Sequence, residues 1–216
     1  MASKNSVFLR IPLILLAAGD LALLALRLRP WPEIVNLPGQ GTTGYDPAIC
    51  LTTYILLLFW IGGNRDETVQ KALRTGLWLA IPAGLLLLGY VYMSAQETQQ
   101  AFYTQIGFLA GASIFWGIAG MKAAKISKSP NVGIAAGAWS GMISALMGAA
   151  GALARIDLNN PLPPSSDPWK QYQGLAIGTQ AIQSMVHQLN MTTGFLLIAP
   201  LVGGALGLIF SLAVQE

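Results

Sequence analysis

Residues 133–152, GIAAGAWSGMISALMGAAGA, form an uncharged stretch in which small residues recur at every fourth position. Gly133, Gly137 and Gly141 begin this row, and two alanines continue it. Glycine destabilises a helix in water by about 1 kcal/mol relative to alanine, whereas a bilayer forces the backbone to satisfy its own hydrogen bonds. Small residues in such a helix allow a neighbouring helix backbone to approach closely. We therefore predict that this stretch is the central packing helix of a membrane bundle.

The composition also indicates a membrane protein. Of the 216 residues, 54% are hydrophobic and only 10% are charged, whereas soluble domains carry roughly 25% charged residues. We therefore expect one integral membrane domain over residues 1–216. The net charge of +3 is interpreted as loop cations that set topology. No cluster of lysine and arginine is denser than Lys122, Lys125 and Lys128, so we expect no nucleic-acid partner.

Apolar runs divide the chain into six predicted membrane-spanning helices, separated by polar or proline-rich segments. We place them at about residues 7–26, 47–63, 76–95, 106–121, 132–154 and 192–214. The charged connector before the third run, NRDETVQKALRT, places its acids ahead of its cations. This order favours a short surface helix, because it complements the helix dipole and allows i,i+4 ion pairs.

The segment 174–190 has an amphipathic pattern, with apolar residues on one helical face and glutamines and His187 largely on the other. It is too polar to span a membrane, so we predict an interfacial or cavity-lining helix on the extracytoplasmic side. The predicted fold class is therefore all-α, with six transmembrane helices and one amphipathic interfacial helix.

The distribution of cations predicts the orientation of this bundle. Six spans place both termini on one side of the membrane. Eight of the twelve lysines and arginines lie on that side and four lie on the other. Because short cytoplasmic loops are enriched in Lys and Arg, we predict a multi-pass protein of the plasma (inner) membrane with both termini in the cytoplasm.

Two further spans carry small residues at helix-packing spacing. The fourth span has Gly107 and Gly111 at GxxxG spacing, and the last span repeats a small residue at every fourth position through Gly203 and Gly207. We predict that the last span packs against the stretch containing Gly137. The spacings alone leave open whether these stripes pack within the chain or against partner proteins.

Asp20 lies in the middle of the first predicted span and is its only acidic residue. A charge at this depth costs several kcal/mol unless it is paired, hydrated or protonated. One hypothesis is a proton or cation site in a small transporter or channel, with Arg27 two turns away as a water-linked partner. The alternative is a structural carboxyl that is neutral or hydrogen bonded to a neighbouring helix.

His187 is the only histidine and Cys50 is the only cysteine. These counts exclude an internal disulfide, a multi-histidine metal site and a haem held by two histidines of this chain, and we predict no metal centre. His187 can still ligate a haem or chlorophyll-type pigment, or donate to a quinone. The competing interpretation, favoured by the neighbouring glutamines, is a histidine that faces water at the membrane surface.

The functional hypothesis follows from long packing stripes combined with few polar groups in the spans. No P-loop, GxSxG, HExxH or GxGxxG motif occurs, so we expect no enzyme. The leading hypothesis is a non-catalytic structural or accessory subunit, surrounded by lipid and by other integral membrane subunits. Energy-converting and photosynthetic complexes are candidates, in which a pigment, haem or quinone would be shared with partner subunits. The alternatives are a transporter or channel that uses Asp20 and a cofactor-binding electron-transfer or light-harvesting subunit that uses His187.

Overall fold

The computed structural model of the chain describes residues 4–29, 45–61, 66–94, 98–155 and 180–214, and it describes side chains in these ranges outside 4–10, 60–61 and 180–184. Within these ranges every regular element is an α-helix, which confirms the all-α prediction for them. The helices are α1 (Lys4–Leu28), α2 (Asp46–Ile61), α3 (Glu67–Met93), α4 (Gln99–Ser127), α5 (Pro130–Ala154) and α6 (Gln180–Leu212).

Five of these helices, all except α2, are long and apolar enough to cross a membrane. α2 is apolar but contains only 16 residues, a length of about 24 Å at 1.5 Å per residue. A bilayer hydrocarbon core is about 30 Å thick. By length and composition the described helices therefore indicate a multi-pass membrane protein with five candidate spans, and a shorter apolar helix lies where the second span, 47–63, is predicted.

α5 occupies the centre of the bundle. Within its apolar window 72% of the residues are buried inside the protein, compared with 22% for α1. α5 packs against α1, α3, α4 and α6, whereas α2 packs against α1 and α6 at the side. The helix with the highest density of small residues is thus the one that four other helices surround, because only short side chains leave room for so many neighbours.

Direct contacts define the directions of the helices. The first turn of α5 meets the end of α6, where Gly133 lies beside Gly207, so these two helices are antiparallel. The end of α1 meets the end of α5, where Arg27 contacts Ala154, so these two are parallel. The start of α1 and the end of α6 consequently lie at the same end of the bundle.

Local sequence signals explain where α3, α4 and α5 begin. Asp66 accepts a hydrogen bond from the Thr68 amide over 2.8 Å at the start of α3. The Thr98 hydroxyl accepts one from the Ala101 amide over 3.1 Å at the start of α4. Both side chains satisfy amides that have no partner within the helix. Pro130 occupies the first turn of α5, where its missing N–H costs no hydrogen bond.

The structure corrects two sequence predictions. The charged connector is not a separate surface helix, because its residues from Glu67 onward are the first turns of α3. Likewise, the part of 174–190 that the structure describes is not a separate interfacial helix, since it is continuous with the last span in α6. No proline or glycine stands between Gln180 and Thr193, so nothing interrupts the helical hydrogen bonds. Residues 174–179 lie outside the described ranges.

Candidate functional site

Asp20 belongs to the face of α1 that is turned toward the rest of the bundle. Leu13, Ala17, Asp20 and Leu24 follow one another at helical spacing, and none of them is more than 4% exposed. α1 packs against α2 and α5. The carboxyl group therefore lies in an apolar seam between helices and does not face lipid.

The hydrogen bonding of the Asp20 carboxyl is incomplete within the described ranges. Asp20 Oδ2 has no hydrogen-bond partner among the residues that the structure describes. Burying an ionised carboxylate without a partner costs many kcal/mol, and intramembrane acids are normally paired or hydrated. The position therefore calls for a proton or a bound ligand on the free oxygen, and this requirement makes Asp20 the first candidate site.

Arg27, the expected water-linked partner of Asp20, has a different contact. Its Nη2 atom donates to the carbonyl oxygen of Ala154 over 3.3 Å. The last carbonyls of a helix lack intrahelical partners, and a cation near them is favoured by the helix dipole. Arg27 lies about 10 Å further along α1 than Asp20, given a rise of 1.5 Å per residue. Arg27 thus caps the end of α5.

A second buried polar group lies between α4 and α5. The indole Nε1 of Trp116 donates to Ser144 Oγ over 2.8 Å, and the Ser144 hydroxyl donates to the Gly141 carbonyl over 3.0 Å. Ser140, one turn away, is completely buried, and its Oγ has no partner among the described residues. Nothing in the spacing of these two serines along the chain identifies Trp116 as a partner.

The third candidate site lies near the junction of α5, α3 and α6. Arg155 follows α5, and its Nη1 donates to the Val91 carbonyl and, over 3.2 Å, to the Tyr92 carbonyl at the end of α3. The positive charge of Arg155 contributes to the electrostatic environment of His187, which is half-buried on α6.

Gln188, the residue after this histidine, departs from the predicted polar face. It is only 5% exposed, and its Oε1 atom has no partner among the described residues. His187 itself is half-buried. Because its helix is continuous with the last span, this segment is not a separate helix at the membrane surface. Over the described ranges, no group of three or more His, Cys, Asp or Glu residues is placed to hold a metal ion.

The predicted packing glycines of α5 and α6 face each other. A Cβ atom built on Gly207 would lie 2.6 Å from the carbonyl oxygen of Gly133, and one on Gly203 would lie 2.5 Å from that of Gly137. A Cβ on Gly141 would meet the backbone of Ala199 and Pro200. Since each position has backbone as its neighbour, no side chain can move aside to accept a larger residue.

The two glycines predicted on α4 differ from these. Gly111 faces a side chain, because a Cβ built on it would lie 2.9 Å from Leu86 Cδ1. Gly107 is exposed, and a Cβ built on it would meet nothing within 4 Å. The structure thus brings together the glycines of α5 and α6 and leaves Gly107 on the outer surface of the bundle.

No protein-family model, no curated protein and no solved structure matches this chain.

Proposed function

We propose that this chain is a non-catalytic structural or accessory subunit of a multi-subunit membrane complex, with energy-converting and photosynthetic complexes as candidates. The observation that carries the proposal is the outward position of Gly107 on α4. Ala110, one turn further on, is also exposed, and the bulky Tyr103 and Ile114 flank the pair at 63% and 54% exposure.

The α4 face around Gly107 differs from the interior of the bundle in what its small residues contact. Between α5 and α6, glycine permits contact between two backbones, and van der Waals packing of this kind drives helix association in lipid. At Gly107 the same residue type exposes backbone without packing against any described part of the chain. A helix of a partner subunit seated between Tyr103 and Ile114 would recover that packing energy.

Site-specific photocrosslinking in native membranes tests this proposal. A photoreactive amino acid at Ala110 should capture one discrete partner protein. The matched control is the same amino acid at Leu85, which is 58% exposed on α3. If Ala110 yields only lipid adducts, as a lipid-facing position would, the α4 face is not a subunit interface.

A small transporter or channel is the second candidate, and a separate observation favours it. Asp20 is only 2% exposed, and its Oδ2 atom lacks a partner among the described residues. An ionisable residue inside a membrane bundle suggests a proton or ion pathway. Proton flux through the purified protein in liposomes tests this candidate.

For localisation we propose the plasma (inner) membrane with both termini in the cytoplasm. The parallel pairing of α1 with α5 and the antiparallel pairing of α5 with α6 support two termini at one end. That end carries Lys71 on α3 and Lys122 on α4, in agreement with the enrichment of cations in cytoplasmic loops. A reporter that is active only outside the cytoplasm should be silent when it is fused to the C-terminus. Activity of that fusion would contradict the orientation.

A further inference from the structure

Five cations lie at one end of the bundle on two helices that pack against each other. Lys71 and Arg74 stand on the first turns of α3, and Lys122, Lys125 and Lys128 stand at and just after the last turns of α4. All five are exposed. We refer to these five residues as the basic rim.

A small buried cluster brings the two halves of the basic rim together. Ala72 of α3 and Ala123 of α4 pack with Ala136 of α5, and all three are 0% exposed. Lys71 and Lys122 directly precede the first two of these alanines in the chain. The helix turns that carry Lys71 and Lys122 therefore meet at one contact, which places the cations of α3 and α4 at the same end of the bundle.

An exposed aromatic residue indicates the depth of the basic rim. Trp78 lies one helical turn after Arg74 on the same face of α3 and is 64% exposed. Tryptophan is enriched at the boundary between hydrocarbon and headgroups. Arg74 lies about 6 Å further along the helix axis toward the end of the bundle, so we expect it near the level of the lipid phosphates.

Among the described residues at this end, two acids lie at the start of α3. Asp66 uses its carboxylate as the N-cap of α3, where it accepts from the Thr68 amide. Glu67 occupies the first turn of the same helix, where the positive end of the dipole favours an acid. In the described part of this end the five exposed cations thus outnumber the two acids, and the net charge of these seven residues is positive.

We propose that the basic rim binds the phosphates of anionic phospholipid headgroups in the leaflet that surrounds this end of the bundle. Juxtamembrane lysines and arginines are attracted to anionic lipid surfaces, and each cation near such a surface contributes about 1 kcal/mol. This role is additional to the effect of the same cations on topology, and it does not depend on the proposed subunit function.

Native mass spectrometry of the purified full-length chain tests the proposal. The protein is exposed to equal amounts of phosphatidylglycerol and phosphatidylcholine with identical acyl chains. We expect preferential retention of phosphatidylglycerol. The double variant Lys122→Gln/Lys125→Gln should lower this preference by about tenfold or more, given the usual contribution of a cation near an anionic surface. The matched variant Lys122→Arg/Lys125→Arg keeps the charge and should retain the preference.

Three further measurements distinguish lipid binding from other causes of the effect. Acetylation of lysines in the purified, folded wild type should also abolish the preference. Because the protein is already inserted when it is acetylated, a changed topology cannot cause this loss. The preference should fall at 1 M salt, where the Debye length is about 3 Å. Inorganic phosphate should not compete at millimolar concentration. Equal retention of the two lipids, an unchanged preference in the glutamine variant, or displacement by free phosphate would each overturn the proposal.

Discussion

The Tyr54 hydroxyl of α2 donates a hydrogen bond to the carbonyl oxygen of Leu196 in the middle of α6. In a regular helix this oxygen would accept from the amide four residues later, but that residue is Pro200 and has no N–H. Tyr54 is 5% exposed and Leu196 is 1% exposed, so water does not replace the missing donor. The bond satisfies a buried carbonyl and fastens the short helix α2 to the long helix α6.

Substitution of Tyr54 by phenylalanine should destabilise the protein by about 1 kcal/mol, because it leaves the Leu196 carbonyl without a donor. The free energy of unfolding in mixed micelles with increasing SDS measures the effect. Tyr92→Phe is the matched control, since that tyrosine is 67% exposed, and it should change stability little. Equal effects of the two variants would contradict the assignment.

The variant Pro200→Ala allows a double-mutant cycle on the same contact. Alanine restores an amide that can donate to Leu196, so Tyr54→Phe should cost less in this background than in the wild type. A coupling energy near zero between positions 54 and 200 would show that the tyrosine stabilises α2 in some other way.

Two glycines offer a matched test of the packing. Gly137→Ala should destabilise the bundle by about 1–3 kcal/mol, the range for overpacking a core. The added methyl group would lie 3.0 Å from Gly207 Cα and would also press on the Gly203 carbonyl. Gly107→Ala adds the same methyl group to an open surface and should leave intramolecular stability unchanged. If both variants unfold at the wild-type temperature, the close approach of α5 and α6 is wrong.

Hydropathy predicts the extent of the apolar helices well and their polar extensions poorly. The span predicted at 132–154 is the helix Pro130–Ala154, whereas the span predicted at 76–95 is the helix Glu67–Met93. The reason is physical. Apolar composition reports where a segment contacts lipid, but a helix continues through polar residues wherever its hydrogen bonds are uninterrupted and its first amides are capped.

Prediction of the candidate sites from sequence is limited in a similar way. Asp20 can be selected from sequence because it is the only acid in its predicted span, and His187 because it is the only histidine in the chain. The burial of Gln188 cannot be predicted from sequence, because it depends on which helices surround α6. The carbonyl that Pro200 deprives of its helical donor can be identified as Leu196 by counting back four residues. The donor, Tyr54, is 142 residues away in the chain and emerges only from the packing.

Substitution of Asp20 by asparagine separates the two proposed functions. In the subunit proposal, Asp20→Asn keeps the size of a buried group and should leave the amount of assembled protein unchanged. In the transporter proposal, liposomes containing wild-type protein should dissipate an imposed pH gradient faster than liposomes containing the variant. A trapped pH-sensitive dye reports the rate, and no substrate needs to be known. An Asp20-dependent proton flux would favour the second candidate over the first.

The visible absorption spectrum of the purified protein tests the cofactor hypothesis. We expect His187→Gln to leave any absorption band unchanged, because the subunit proposal assigns no ligand to this half-buried side chain. Loss of a band in the variant would show that His187 ligates a haem or pigment. No second histidine exists in the chain to replace it, so the spectroscopic effect would be complete.

The mass of the native assembly tests the proposed function most directly. The tagged chain is expressed in its own host at native level, extracted with a gentle detergent, and analysed by size exclusion with light scattering and by mass spectrometry of its components. We predict a particle much heavier than one 216-residue chain that contains the chain together with at least one other integral membrane protein in a fixed ratio. Gly107→Leu should release this partner while the chain itself remains folded. A stable particle that contains only this chain, with the same mass in wild type and variant, would contradict the account.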